Sequence, residues 1–140
     1  MFRSIRVLGA LCIFGQLTLA HGAECPQSFA QVGLFASLPA EVRAGILSGN
    51  RYQGEVAESN GSFNATDVGV GPHRRFLFAA MSPTAAAVSV EHGGRGYFVE
   101  QWRFARVATG WVLVGAEPLQ VKPSTWVNFV RATCQMSAGG

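Results

Sequence analysis

The chain has 140 residues, of which 49% are hydrophobic, and its formal net charge is +3. This length predicts one domain with a single core. Two of the 11 basic residues, Arg3 and Arg6, lie in a predicted leader, so the remainder carries nine basic residues against eight acidic ones, a net charge of +1. Nucleic-acid binding needs a clustered basic face. Since the only adjacent basic pair is Arg74 and Arg75, we expect no nucleic-acid partner.

Residues 1–23 have the pattern of a secretory signal peptide. Two arginines supply the positive start, and residues 7–19 form an apolar run of the usual length. The run is too short to span a bilayer, which takes roughly 20 apolar residues; a retained interfacial helix is the alternative. Cleavage is predicted after Ala23, with Gly22 as the other candidate position. We therefore expect residues 24–140 to form one exported domain without stable membrane insertion.

The amino-acid usage indicates a bacterial origin. Ten arginines stand against one lysine, and Ala, Gly and Val are abundant, which is typical of a GC-rich genome. The predicted location is the periplasm or the medium.

The cysteines predict a disulfide. Cys12 lies in the leader, and Leu11 before it does not suit lipoprotein processing, so Cys25 and Cys134 remain near the two ends of the exported domain. Disulfides persist outside the cytoplasm. We predict a bridge between Cys25 and Cys134; the alternative is two unpaired cysteines.

The first part of the domain has helical periodicity. Ser37 is a candidate cap, and Pro39 is tolerated in the first turn of a helix over residues 37–49. An apolar stripe on this helix is expected to pack on a sheet. The stripe consists of Leu38, Val42, Ile46 and Leu47. Residues 28–36 are predicted to add one or two helical turns. Their inward-directed side chains are Phe29, Val32 and Phe35.

From residue 51 onward the chain changes to short β-like runs. Asn60-Gly61 is the strongest short hairpin signal, and it separates the predicted strands 51–59 and 62–68. Further strands are predicted at 74–81, 84–91, 96–107 and 111–118. Parallel strands need crossovers of a dozen or more residues. The short connections therefore predict an α+β fold, with the N-terminal helix or helices packed on an antiparallel meander of about six strands, open or strongly curled.

The hairpin over residues 96–118 is the most apolar part of the predicted sheet. Side chains alternate across a strand, and on its first strand both faces carry large apolar groups. One face has Phe98, Trp102 and Phe104, and the other has Tyr97, Val99 and Val107. An edge hairpin with one solvated face would alternate with polar residues instead. We therefore predict that this hairpin lies near the middle of the sheet, covered at least partly on both sides.

The last predicted element is the run 124–134. Its helical stripe favours a short helix, although its β-branched residues leave a strand as the alternative. The stripe consists of Trp126, Phe129, Val130 and Cys134. A helix before a curled antiparallel sheet that ends in a Gly-Trp hairpin resembles, in architecture alone, the cystatin-like and nuclear-transport-factor-2-like domains. That resemblance implies no site residue.

Few residues suggest a metal or cofactor site. His73 and His92 lie beside turns and lack metal-ligand spacing, and zinc would require them to converge with Asp67 and Glu91. The glycines lie between strands rather than before a helix, so they do not form a phosphate loop. There is also no serine in a GxSxG elbow. We predict no metal and no cofactor, and we favour a protein that is not an enzyme.

Two functional hypotheses remain. The favoured one is a protein-binding domain, an inhibitor or immunity-type protein that acts on an envelope or toxin partner, because aromatic and arginine side chains dominate such contacts. The predicted partner surface consists of Tyr97, Trp102, Arg103, Arg106 and Trp111. The alternative is a pocket for a small ligand or for acid–base catalysis. Its predicted residues are Asp67, His92 and Glu100, although Glu100 could instead pair with an arginine such as Arg75.

Overall fold

The computed structural model describes residues 28–49, 54–120, 122 and 129. The elements in chain order are β1 (Ala30–Val32), a 3-10 turn (Phe35–Ser37), α1 (Ala40–Leu47), β2 (Val56–Ala57), β3 (Arg74–Met81), β4 (Ala85–His92), β5 (Phe98–Val107) and β6 (Gly110–Leu119). The predicted leader, both predicted disulfide cysteines and all of the predicted element 124–134 except Phe129 lie outside the described residues.

The strands form one open, mostly antiparallel six-stranded sheet. Its order is β1-β3-β4-β5-β6, and the short β2 also pairs with β3. Each connection from β3 to β6 is short and joins antiparallel neighbours. The predicted antiparallel meander is therefore confirmed for these four strands.

One face of the sheet packs against α1. Val42 and Ile46 are fully buried there, one helical turn apart. Pro39 occupies the N-cap position and Glu41 lies in the first turn, whereas the predicted cap, Ser37, belongs to the preceding 3-10 turn. The sheet residues of this core include Phe76, Val88, Val90, Trp102, Phe104 and Trp111. The helix thus covers the face that holds most of the aromatic side chains.

The opposite face carries a second, smaller core. Phe129 is buried against Ala80 and Ala87, and Phe29 and Phe78 pack at its margin. The rings of Phe78 and Phe129 are stacked, with centroids 6.0 Å apart. A residue from the C-terminal part of the chain therefore covers this face at its centre.

The prediction of helical turns over residues 28–36 is largely wrong. Residues 30–32 form β1, which pairs with β3 over Ala30↔Met81 to Val32↔Ala79. Only the 3-10 turn is helical, and the Glu58 carboxylate accepts hydrogen bonds from the first N–H groups of that turn, at 2.6 and 2.8 Å. Backbone N–H and C=O groups need hydrogen-bond partners. In this short segment the partners come from β3 and Glu58, so these contacts decide its structure.

The predicted hairpin around Asn60-Gly61 is also wrong. A turn does form there, since Gly61 N–H donates to the Glu58 carbonyl at 2.8 Å, but residues 62–68 contain no strand. Instead, the Asn64 side chain accepts hydrogen bonds from the backbone and hydroxyl of Thr66, a local bonding pattern that competes with a ladder. Without that strand, residues 58–73 are long enough for a crossover, and β2 pairs with β3 in parallel.

The position predicted for the last hairpin holds for β5, which is buried on both faces, and is wrong for β6. Among the described residues β6 pairs with β5 only, so the β5–β6 hairpin lies at an edge of the sheet. Trp111 is buried in the core, but the three residues that follow it are exposed. As far as the described residues extend, the apolar pattern of β6 therefore belongs to an uncovered edge and not to a doubly covered strand.

Candidate functional site

An exposed apolar patch surrounds the turn between β5 and β6. Four aliphatic residues there are between 41% and 62% exposed, and the neighbouring Arg106 is exposed as well. We call this set the β6 patch. It consists of Arg106, Val107, Val112, Leu113 and Val114. The patch wraps around the sheet edge, because successive residues of a strand point to opposite faces.

The β6 patch has few charged side chains that would hinder pairing with another strand. Residues 107–116 contain no charged side chain. Arg106 places its guanidinium over the Trp111 ring, 5.4 Å from the centroid, and it forms no ion pair with any described residue. Native proteins usually protect long edge strands with charges or proline. In β6 these features appear only at Glu117 and Pro118, near its end.

The five residues predicted for the partner surface are distributed over several environments. Trp102 and Trp111 are 6% and 9% exposed and belong to the core under α1. Tyr97 lies at the opposite end of β5 from Arg106, and its hydroxyl donates to Glu91 at 2.8 Å. Arg103 pairs with Glu117 on the face away from α1. Tyr97 is 50% exposed, but of the five only Arg106, which lies over the Trp111 ring, belongs to the β6 patch.

A second candidate site is a polar cleft beside the start of β3. It has a volume of about 620 Å³, which lies within the range of small-molecule sites. The lining residues are Gly54, Glu55, Asp67, Gly71, Pro72, His73, Arg74, Gly93, Gly94 and Arg95. The cleft thus lies between the 58–73 connection, the β4–β5 turn and the residues just before β2.

Backbone hydrogen bonds hold the cleft walls together. Gly93 N–H donates to the His73 carbonyl at 2.7 Å, and Gly94 N–H donates to the Ala65 carbonyl at 3.2 Å. A Cβ atom on Gly93 would lie 2.1 Å from the Asn64 carbonyl oxygen. Glycine is therefore required at position 93, because the 58–73 connection packs directly on it.

Arg74 is the buried cation of the cleft. It is 3% exposed, and its Nη1 donates to the Ile46 carbonyl at 2.9 Å, while Nη2 donates to the Gly54 carbonyl. Burial lowers the pKa of Arg74, and the negative charge of Glu100 offsets part of this effect. No described carboxylate forms an ion pair with Arg74, so the guanidinium is solvated mainly by backbone carbonyls.

The residues predicted for the alternative pocket do not all meet. His92 and Glu100 do come together on the α1 face, with Nε2 and Oε2 3.3 Å apart, and the His92 ring stacks on Phe98 at 4.5 Å. Asp67 lies instead at the cleft, 3.8 Å from Arg95. The cleft lining includes neither His92 nor Glu100. Arg75 is not the partner of Glu100, because the two side chains point to opposite faces of the sheet.

Arg75 pairs with Glu91, a buried carboxylate whose structural role sequence reasoning missed. Glu91 is completely buried and also accepts hydrogen bonds from Tyr97 at 2.8 Å and Lys122 at 2.7 Å. Burial opposes ionisation, but the hydrogen bonds from Lys122, Tyr97 and Arg75 outweigh it, and the net effect lowers the pKa of Glu91. Its position opposite Arg75 in the β3–β4 register is the signal that could have revealed the pair.

The described residues show no metal cluster and no membrane span. Within them, no three His, Cys, Asp or Glu side chains are arranged to hold a metal ion, and no helix is long and apolar enough to cross a bilayer. No protein-family model, curated protein or solved structure matches the chain. Any assignment of function therefore depends on the geometry of the β6 patch and the cleft.

Proposed function

We propose that this protein is an exported bacterial protein-binding domain, located in the periplasm or secreted, that acts as an inhibitor or immunity-type protein on an envelope or toxin partner. The β6 patch supports this proposal. A strand edge with unpaired backbone groups and exposed apolar side chains can accept an extended segment of another protein as an additional strand. In this mode the backbone supplies hydrogen bonds and the exposed side chains supply selectivity.

The chemistry of the patch defines the partner segment. Val112 and Leu113 point to opposite faces, so the incoming strand needs apolar residues on both faces opposite them. Arg106 lies next to this position and has no acidic partner among the described residues. We therefore expect the partner to provide an extended, largely apolar segment with one carboxylate facing Arg106.

Site-specific cross-linking tests this proposal. A photo-cross-linking amino acid in place of Leu113 should capture one protein from an envelope extract of the source organism, with the cross-link located in an extended segment of that protein. The matched control replaces Val70, which is 97% exposed and apolar but lies outside the β6 patch. That position should capture nothing specific.

Substitutions give a second readout. Leu113→Lys and Arg106→Glu should each weaken capture of the same protein by about tenfold or more, as expected for central interface residues. Val70→Lys should leave it unchanged. Equal capture from positions 70 and 113, or a cross-link between two copies of this chain, would exclude the proposed partner. Failure to capture any protein while a small molecule co-purifies would do the same.

A further inference from the structure

Within the part of the chain that the structure describes, the cleft contains two opposite charges without ion-pair partners. Arg74 carries a buried positive charge, and its Nε has no hydrogen-bond partner in the described part of the chain. Glu55 is exposed and follows Gly54, whose carbonyl accepts a hydrogen bond from Arg74. Among residues 28–49, 54–120, 122 and 129, no basic group forms an ion pair with Glu55. The two charges line the same cleft without neutralising each other.

The other two charged residues of the cleft already have partners. Arg95 and Asp67 form an exposed pair at 3.8 Å. They therefore contribute little net charge to the cleft. His73 directs Nδ1 toward the Asn64 carbonyl at 3.2 Å. The charges that face the cleft are thus mainly those of Arg74 and Glu55, and Glu100, which does not line the cleft, acts on Arg74 from outside it.

Two glycines in the cleft wall leave the backbone accessible to a ligand. Gly71 and Gly94 have positive φ angles of 112° and 102°, and a Cβ atom at either position would meet no other atom within 4 Å. These two wall positions therefore present backbone and open space to the cleft. A ligand can approach the backbone there without displacing a side chain.

We infer that this cleft binds a small zwitterion, with its carboxylate toward Arg74 and its ammonium group toward Glu55. A simple carboxylate would compensate Arg74 but would be repelled by Glu55, and a simple amine would meet the reverse arrangement. A ligand that carries both groups satisfies both charges. The volume of about 620 Å³ accommodates a free α-amino acid with its side chain. This site is separate from the β6 patch and does not depend on the proposed partner.

Three matched probes test the inference. L-alanine carries both charges, propionate lacks the ammonium group, and ethylamine lacks the carboxylate. Each is titrated into the isotopically labelled protein while the amide resonances of Gly71, Gly93 and Gly94 are followed by NMR. We expect saturable shifts with L-alanine, and a Kd about tenfold or more below those of propionate and ethylamine, because each charge contributes separately.

The variant Glu55→Gln tests which protein group binds the ammonium. Because Glu55 is exposed, the substitution should leave the fold intact, raise the Kd for L-alanine about tenfold, and lower the Kd for propionate, because the repulsion from Glu55 is removed. Glu41→Gln, which changes an exposed carboxylate on α1, is the matched control and should have no effect. Absence of shifts with L-alanine, equal affinity for propionate, or an unchanged Kd in Glu55→Gln would each overturn the inference.

Discussion

Glu91 connects three parts of the molecule through one buried carboxylate. Arg75 comes from the neighbouring strand β3, Tyr97 from the turn before β5, and Lys122 from the chain after β6. A buried carboxylate is tolerated only when donors surround it. Its three donors are all partly exposed, so they retain access to water if the carboxylate is removed. Removing the carboxylate therefore lowers the free energy of unfolding mainly through the loss of its hydrogen bonds.

We expect Glu91→Gln to lower the free energy of unfolding by about 2 kcal/mol, because hydrogen bonds to charged groups are lost at a buried position. Chemical denaturation measures this change. Glu117→Gln is the control, since Glu117 is half-exposed in its pair with Arg103, and surface pairs contribute about 0–1 kcal/mol. Equal effects of the two substitutions would show that the Glu91 cluster has no special stabilising role.

Stability should also depend on pH through the same cluster. The pKa of Glu91 in the folded state is below its ordinary value of 4.5, so its contribution is present above pH 4.5 and is lost as pH falls through the folded-state pKa. The pKa of Lys122 is raised, chiefly by its hydrogen bond to Glu91. That contribution is present at neutral pH and is lost as pH rises through the raised value. Unfolding of the wild type and of Glu91→Gln across this range should show a smaller acid dependence in the variant.

At the scale of the elements, two glycines of the helical segment lie directly against aromatic rings of β5. A Cβ atom on Gly45 would lie 2.8 Å from the Phe104 ring, and one on Gly49 would lie 2.1 Å from the Trp102 ring. Both rings are buried in the core, where side chains are close-packed and adjust little to added volume. The small residues of the helical segment therefore set the distance at which it packs on the sheet.

Gly45→Ala separates helix propensity from packing. Alanine should favour the helix by about 1 kcal/mol, but overpacking against Phe104 costs about 1–3 kcal/mol. We expect a net loss of about 1 kcal/mol in the free energy of unfolding. Gly33→Ala, where no atom lies within 4 Å of the added group, should change stability by less than about 0.5 kcal/mol. A stabilised Gly45→Ala variant would mean that α1 can move away from β5 at little cost.

At the scale of the whole molecule, the two ends of the described chain meet on the face opposite α1. Phe29 and Phe129 belong to the same small core. Cys25 precedes Phe29 by four residues, and Cys134 follows Phe129 by five. Segments of this length reach about 13–18 Å when extended. The packing of Phe29 and Phe129 therefore supports the proposed disulfide between Cys25 and Cys134.

We expect peptide mapping of the exported protein under non-reducing conditions to recover Cys25 and Cys134 in one linked species. The same material should begin at Glu24 when its intact mass is measured. Because the bridge would close almost the entire exported chain, reduction should lower the free energy of unfolding by about 4–5 kcal/mol in the chain-entropy model. Two free thiols in the exported protein would contradict the bridge, although not the sheet.

The sequence by itself determined the elements whose signals are local. Strands β3 to β6 and helix α1 were predictable because alternation, helical spacing and turn residues such as Gly110 act within a few positions of the chain. The sequence also predicted that His92 and Glu100 lie close together, since both were candidate residues of one pocket.

Only the tertiary structure decided which surfaces remain exposed and which charges meet. Trp111 and Val114 are both large apolar residues of β6, yet α1 covers the first and leaves the second exposed. Glu91 and Glu100 look alike in sequence, but they point to opposite faces of the sheet and bind different partners. The cleft unites residues from three separate connections. These outcomes depend on contacts between distant parts of the chain. A local sequence pattern does not determine the free energies of such contacts.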